Sequence, residues 1–174
     1  MVARAGHRLR RPAAAGAAMT KGGSAETEDL EQLLRRLQEA HESLLEVLKG
    51  GDQERFAEQD GGDSVKAIVE RTSDDVNLYY GRLAARAMSL PQPPCVQRAD
   101  FSSLREAVAA LQVAHRRFTN LLHDLTPEDL EREAADPELG SYTMRQILAM
   151  ATAHYALRAQ QVTQVQPGTA PAGS

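Results

Sequence analysis

The chain has 174 residues, of which 42% are apolar, 25% charged and only 4% aromatic, with no Trp and one cysteine. That suffices for one domain around one core. It excludes an intrachain disulfide and a cysteine-built zinc site, and no apolar run reaches the ~18 residues of a membrane-spanning helix. The formal charge of −4 is uneven: residues 1–24 carry Arg4, Arg8, Arg10, Arg11 and Lys21 and no acid, so the remainder holds −9, and an acidic body excludes a general electrostatic grip on nucleic acid.

Residues 1–24 are Arg- and Ala-rich, as some targeting peptides are, but lack the apolar centre of a secretory signal. They are expected to be a disordered basic extension, with Met19 an alternative start. A domain over residues 25–166 follows, and residues 167–174 form a Pro- and Gly-containing tail expected to be disordered. A single cysteine fits a reducing cytoplasm.

The first helix is predicted over Glu26–Leu48. Leu30, Leu33, Leu34, Leu37, Leu44, Leu45 and Leu48 recur at steps of three and four, Thr27 is a candidate N-cap, and Lys49-Gly50-Gly51 ends the segment. The second is predicted over Ser64–Ser89, capped by Asp63 or Ser64. Its stripe is Val65, Ile68, Val69, Thr72, Val76, Tyr79, Tyr80 and Leu83, and Pro91, Pro93 and Pro94 stop it. The third is predicted over Ser103–Leu125, where Ser103 and Glu106 have the spacing of a capping box. Thr126-Pro127-Glu128-Asp129 opens a short helix, Asp136–Tyr142 reads as loop, and Thr143 caps a last long helix over Met144–Gln164. No strand alternation is visible. Four amphipathic helices covering one another's stripes predict an all-α four-helix bundle.

The last helix breaks its own pattern. His154 and Arg158 are four apart, on the line of Ile147 and Ala151, and a buried guanidinium is costly unless paired. Such breaks mark candidate functional positions.

The segments SVKAIVERT (Ser64–Thr72) and TMRQILAMATAHYALRAQQV (Thr143–Val162) resemble the DinB-like superfamily, also known as YfiT-like metal-dependent hydrolases, over roughly residues 27–165. The resemblance implies a four-helix bundle with a short extra helix before the last long one. It also implies a site of three histidines, one on the second helix and two on the last, with a glutamine three residues beyond the second of that pair. Carried onto this chain, those positions are Arg71, His154, Arg158 and Gln161, so two of the three ligand positions hold arginine. Guanidinium stays protonated and has no lone pair for zinc or nickel. No metal is therefore expected, the alternative being a divalent ion in a rebuilt site around His154 and nearby carboxylates.

Two readings of the arginines remain. In one, Arg71 and Arg158 grip a small acidic molecule, with His154 as proton donor or shuttle. In the other they are neutralised inside the protein by an acid such as Glu39, Glu42, Glu46 or Asp74. His41 and His115 read as satisfied core or polar-edge histidines, His123 as surface, Tyr79 and Tyr80 as mostly core, and Cys95 as an exposed loop thiol without an activating environment.

Two functions follow. The first is a binding or dimerisation module that keeps the scaffold without the metal, with a homodimer as the expected assembly. The second, implied by the resemblance, is a transferase, isomerase or hydrolase using a low-molecular-weight thiol or an acidic substrate held by Arg71 and Arg158. A cleft at the two arginines favours the second, and sealing of both by protein carboxylates favours the first.

Overall fold

The structure, a computed structural model, describes residues 29–59, 62–92 and 97–166. Among these, α1 (Leu30–Lys49), α2 (Val65–Asp74), α3 (Gly81–Ala87), α4 (Leu104–Asn120) and α5 (Met144–Val165) make up nearly all the regular structure. A π-helical segment, Asp75–Tyr80, joins α2 to α3 in one rod, so the helices form a four-membered bundle, as the sequence predicts.

Local chemistry starts each rod. Asp29 caps α1: its carboxylate accepts the Gln32 N–H at 2.8 Å while Gln32 Oε1 accepts the Asp29 N–H at 3.2 Å. Thr27, the expected cap, lies outside the described residues, as do the basic extension, the C-terminal tail and Cys95. Ser64 caps α2 through the Ala67 N–H at 3.1 Å. Ser103 caps α4 through the Glu106 N–H at 3.2 Å, but the Glu106 carboxylate turns to Ser102, accepting its N–H at 2.8 Å, so the expected box is only half formed. Turns replace helix after Asn120, short of the predicted end at Leu125.

The apolar stripes meet in one core. Leu37, Leu44 and Leu48 of α1, Ile68 and Val69 of α2, Leu83 of α3, Leu111 and Phe118 of α4, and Ile147, Leu148 and Tyr155 of α5 are all almost fully buried. Burial on this scale is the main stabilising term, at about 25 cal/mol per Å² of apolar surface. α5 packs along α1 for most of its length and also meets α2 and the π segment.

Residues 136–142 correct the predicted loop. Glu133–Asp136 (β1) and Gly140–Thr143 (β2) form an antiparallel hairpin, with Glu133 opposite Thr143 and Asp136 opposite Gly140. Gly140 has φ 105°, a conformation that glycine adopts without strain. Asp136 is buried and anchors the hairpin to α3, contacting Arg82 Nε at 2.7 Å and Arg86 Nε at 2.9 Å and accepting the Glu138 N–H at 2.9 Å. A 3-10 turn, Pro127–Glu131, precedes the hairpin and matches the predicted short helix in place. The hairpin delivers the chain to Thr143, whose Oγ1 accepts the Gln146 N–H at 3.3 Å while Gln146 Oε1 accepts the Thr143 N–H at 2.9 Å. That reciprocal cap fixes where α5 begins, and so where His154 and Arg158 fall.

Candidate functional site

His154, Arg158 and Gln161 lie on successive turns of α5, and Arg71 lies on α2. His154 is only 8% exposed, as its place on the apolar stripe requires. The Arg158 side chain is 14% exposed; one guanidinium nitrogen donates to Gln161 Oε1 at 2.9 Å and another to Asp75 Oδ2 at 3.3 Å. Asp75 Oδ2 also stands 3.4 Å from His154 Nε2, without the geometry of a hydrogen bond. Arg71 is more exposed and is clamped by Asp63, which precedes α2, in a two-pronged guanidinium–carboxylate pair.

The acids expected to neutralise the arginines are engaged elsewhere. Glu39 pairs with Arg35, Glu42 accepts from Gln38, Glu46 holds Lys49, and Asp74 accepts the Ala99 N–H. Their place is taken by Asp63 and Asp75. Asp75 opens the π segment, whose wider turn closes with the Gly81 N–H on the Val76 carbonyl. π turns of this kind recur at functional sites because the extra residue re-aims a side chain. Here Asp75 comes against α5 while Val76 and Tyr80 stay in the core. The sequence clue was the spacing of Asp75 four residues after Arg71, but a regular helix gives no reason to prefer Asp75 over Asp74.

Burial raises the Asp75 carboxyl above the usual carboxylate range, opposed by Arg158 and, more weakly, Arg71. Hydrogen bonding from Arg71 lowers Asp63, and Arg158 adds to that effect. The two ion pairs thus share one electrostatic neighbourhood with no net charge. Burial first, and Arg158 second, pull His154 down to about 4, so at neutral pH its ring is uncharged and its contact with Asp75 is not an ion pair. Its ring meets Tyr80 edge-on, with centroids 5.4 Å apart.

A sequence profile for the DinB superfamily matches residues 68–162, more than half of the chain. The chain belongs to the DinB superfamily. Among solved structures, it is similar to YfiT from Bacillus subtilis, described as a probable metal-dependent hydrolase with an unusual four-helix bundle topology. That likeness has a TM-score of 0.62 at 19% identity, covers 86% of this chain and 91% of the other, and bears on the fold. No curated protein matches the chain.

The three-histidine site of the DinB resemblance does not fit the residues present. Of Arg71, His154 and Arg158, only His154 has a lone pair to offer, and both guanidiniums already hold carboxylates of their own chain. Among the described residues, no three His, Cys, Asp or Glu side chains converge as a metal cage, and no helix is long and apolar enough to cross a membrane.

The remaining histidines divide. His123 is exposed, as expected. His115 is buried and satisfied: Nδ1 faces the Tyr155 hydroxyl at 3.1 Å and Nε2 faces Gln38 Oε1 at 2.9 Å. His41 is buried and stacks on His115, but neither of its ring nitrogens has a hydrogen-bond partner, so the reading of a satisfied core histidine fails for it. Nothing local to either residue announces this pairing.

Proposed function

We propose that this DinB-superfamily domain has given up three-histidine metal chemistry and works as a binding or dimerisation module. The observation that carries this reading is the Arg158–Asp75 contact at 3.3 Å. The third ligand position holds a cation, and the protein supplies its counter-charge. A charged pair that completes itself leaves little electrostatic demand for an external ion. Titrating the full chain with Zn²⁺ by calorimetry tests the reading. The natural protein is expected to show no stoichiometric uptake, and a variant carrying Arg71→His and Arg158→His to acquire it; stoichiometric uptake by the natural protein overturns the proposal. Light scattering across a concentration series tests whether the module is a homodimer.

A second reading is favoured by one specific feature. Arg158 Nε and His154 Nε2 are buried without hydrogen-bond partners. The Arg158 Nε–H suits an acceptor, as does His154 Nε2 in the tautomer that carries its proton there, and a small acidic molecule or an acidic low-molecular-weight thiol has the right chemistry. In this reading Arg158 orients the acid, Arg71 adds charge at the rim, Gln161 fixes the Arg158 fork, and His154 is the candidate catalytic group, giving a transferase, isomerase or hydrolase. Titration with N-acetylcysteine tests it: saturable binding lost in Arg158→Met supports this reading over the first, and no binding removes it.

A further inference from the structure

The bundle holds a second buried polar cluster, away from the two arginines. His41 of α1 and His115 of α4 lie face to face, with ring centroids 3.8 Å apart and planes 5° from parallel. His41 is 4% exposed and His115 5%. Tyr155 of α5 completes the cluster, meeting both rings edge-on at 5.3 and 5.6 Å. Just outside, between α1 and α4, runs an open groove of about 520 Å³ that His41 lines together with Gln38, Glu42, Glu46, Gln112 and Arg116.

The contacts around α1 are unequal. It packs along most of α5 but meets α4 at only a few points, and the histidine stack is among the bonds across that thin seam. A stack of two neutral imidazoles is cohesive. Two imidazoliums at that distance repel, and a buried one without an acceptor is strongly disfavoured.

We propose that the His41–His115 stack is a proton-operated latch. Neutral, it closes the α1–α4 seam; protonated, it parts and opens the groove toward the core while α1 stays seated on α5.

The charged and titratable groups facing the pair support this direction. On α1, Glu46 is held by Lys49 at 2.7 Å, which leaves Glu42 as the acid that favours a charged His41. On α4, the exposed Arg116 lines the groove. From α5 comes the Tyr155 hydroxyl, itself kept protonated by burial. Burial lowers His41 to about 4 and His115 to about 3, each ring resisting its proton while the seam is closed. The Leu111 carbonyl helps a charged His41 slightly, without a normal hydrogen bond. A proton therefore binds more readily to the open form, which is what makes the latch respond to acid.

Amide hydrogen exchange of the full chain at pH 7 and pH 5, corrected for intrinsic rates, tests the latch. Protection along the α1–α4 seam is expected to fall at least tenfold further than that of α2 and the β1–β2 hairpin, whose protection follows global stability. His41→Phe, which keeps a stacked ring without a titrating nitrogen at that position, is expected to weaken that response severalfold, leaving only the part due to His115. Equal loss of protection everywhere, or an unchanged response in His41→Phe, overturns the proposal. Should that variant not fold, the imidazole proton resonances of the natural protein decide: both rings titrating well below a free-peptide histidine support the latch, and titration at the free-peptide value overturns it.

Discussion

Two polar clusters flank α5, one at His154 and the other at the adjacent Tyr155, and they solve the burial problem in opposite ways. On the side of α2 and the π segment the groups are charged: Arg158 is balanced by Asp75, with Arg71 and Asp63 nearby. On the side of α1 and α4 they are neutral: two stacked imidazoles, a phenol and an amide. A charged cluster is stable while both signs are present and fails when one partner is removed. A neutral cluster tolerates loss of a single hydrogen bond but not the arrival of a proton. Mutation should therefore be the sharper probe of the first, and acid of the second.

The largest expected effect is that of acid on the three buried neutral imidazoles, two in the neutral cluster and His154 beside the charged one. His41 and His154 are lowered to about 4 and His115 to about 3 in the folded protein. A depressed histidine is fully compatible with folding above its unfolded value near 6.5, and costs stability as the pH falls from there toward the folded value, because the unfolded chain takes up the proton first. Three such groups amount to a loss on the order of 5 kcal/mol between pH 7 and pH 5, at roughly 1.4 kcal/mol per unit per proton. Asp75, raised by burial, works in the opposite direction. Chemical denaturation at a series of pH values should show the slope. A flat profile over that range would mean these rings are not buried as neutral groups.

Next comes the charged side. Asp75→Ala leaves the mostly buried Arg158 without its counter-charge and should cost about 3 kcal/mol in denaturant unfolding, whereas Asp75→Ala combined with Arg158→Met should recover much of that loss. Additive losses in the double variant would mean that the pair does not act as a unit. Tyr155→Phe removes one hydrogen bond to His115 and should cost about 1 kcal/mol. Arg71→Ala breaks only the exposed pair with Asp63, and should change stability by less than about 1 kcal/mol.

These effects turn on features that differ in how far sequence could reveal them. The rods were legible because their signals are local: leucines at steps of three and four in α1, and the reciprocal Thr143–Gln146 cap that sets the start of α5. The hairpin was not, since Glu-Ala-Ala-Asp has no β-branched or aromatic residue, and its buried charge, Asp136, is held by Arg82 and Arg86 from a distant helix. The π segment hid because Thr72, Val76 and Tyr80 continue a helical stripe through it, and the extra residue matters only for the direction of Asp75. At the site, His154 and Arg158 were visible as polar residues on an apolar line, but their counter-ion depended on that hidden turn. The stack of His41 on His115 joins two helices far apart in the chain, and is set by how α1 and α4 pack.

A self-neutralising ion-pair network stands at the positions where the family resemblance implies a metal. Elemental analysis of the tag-free full chain, purified without chelator, tests it most directly, read beside the variant carrying both Arg71→His and Arg158→His. No stoichiometric zinc or nickel is expected in the natural protein, and metal is expected in the variant. Stoichiometric metal in the natural protein would contradict it, and would return His154 to the role of a ligand.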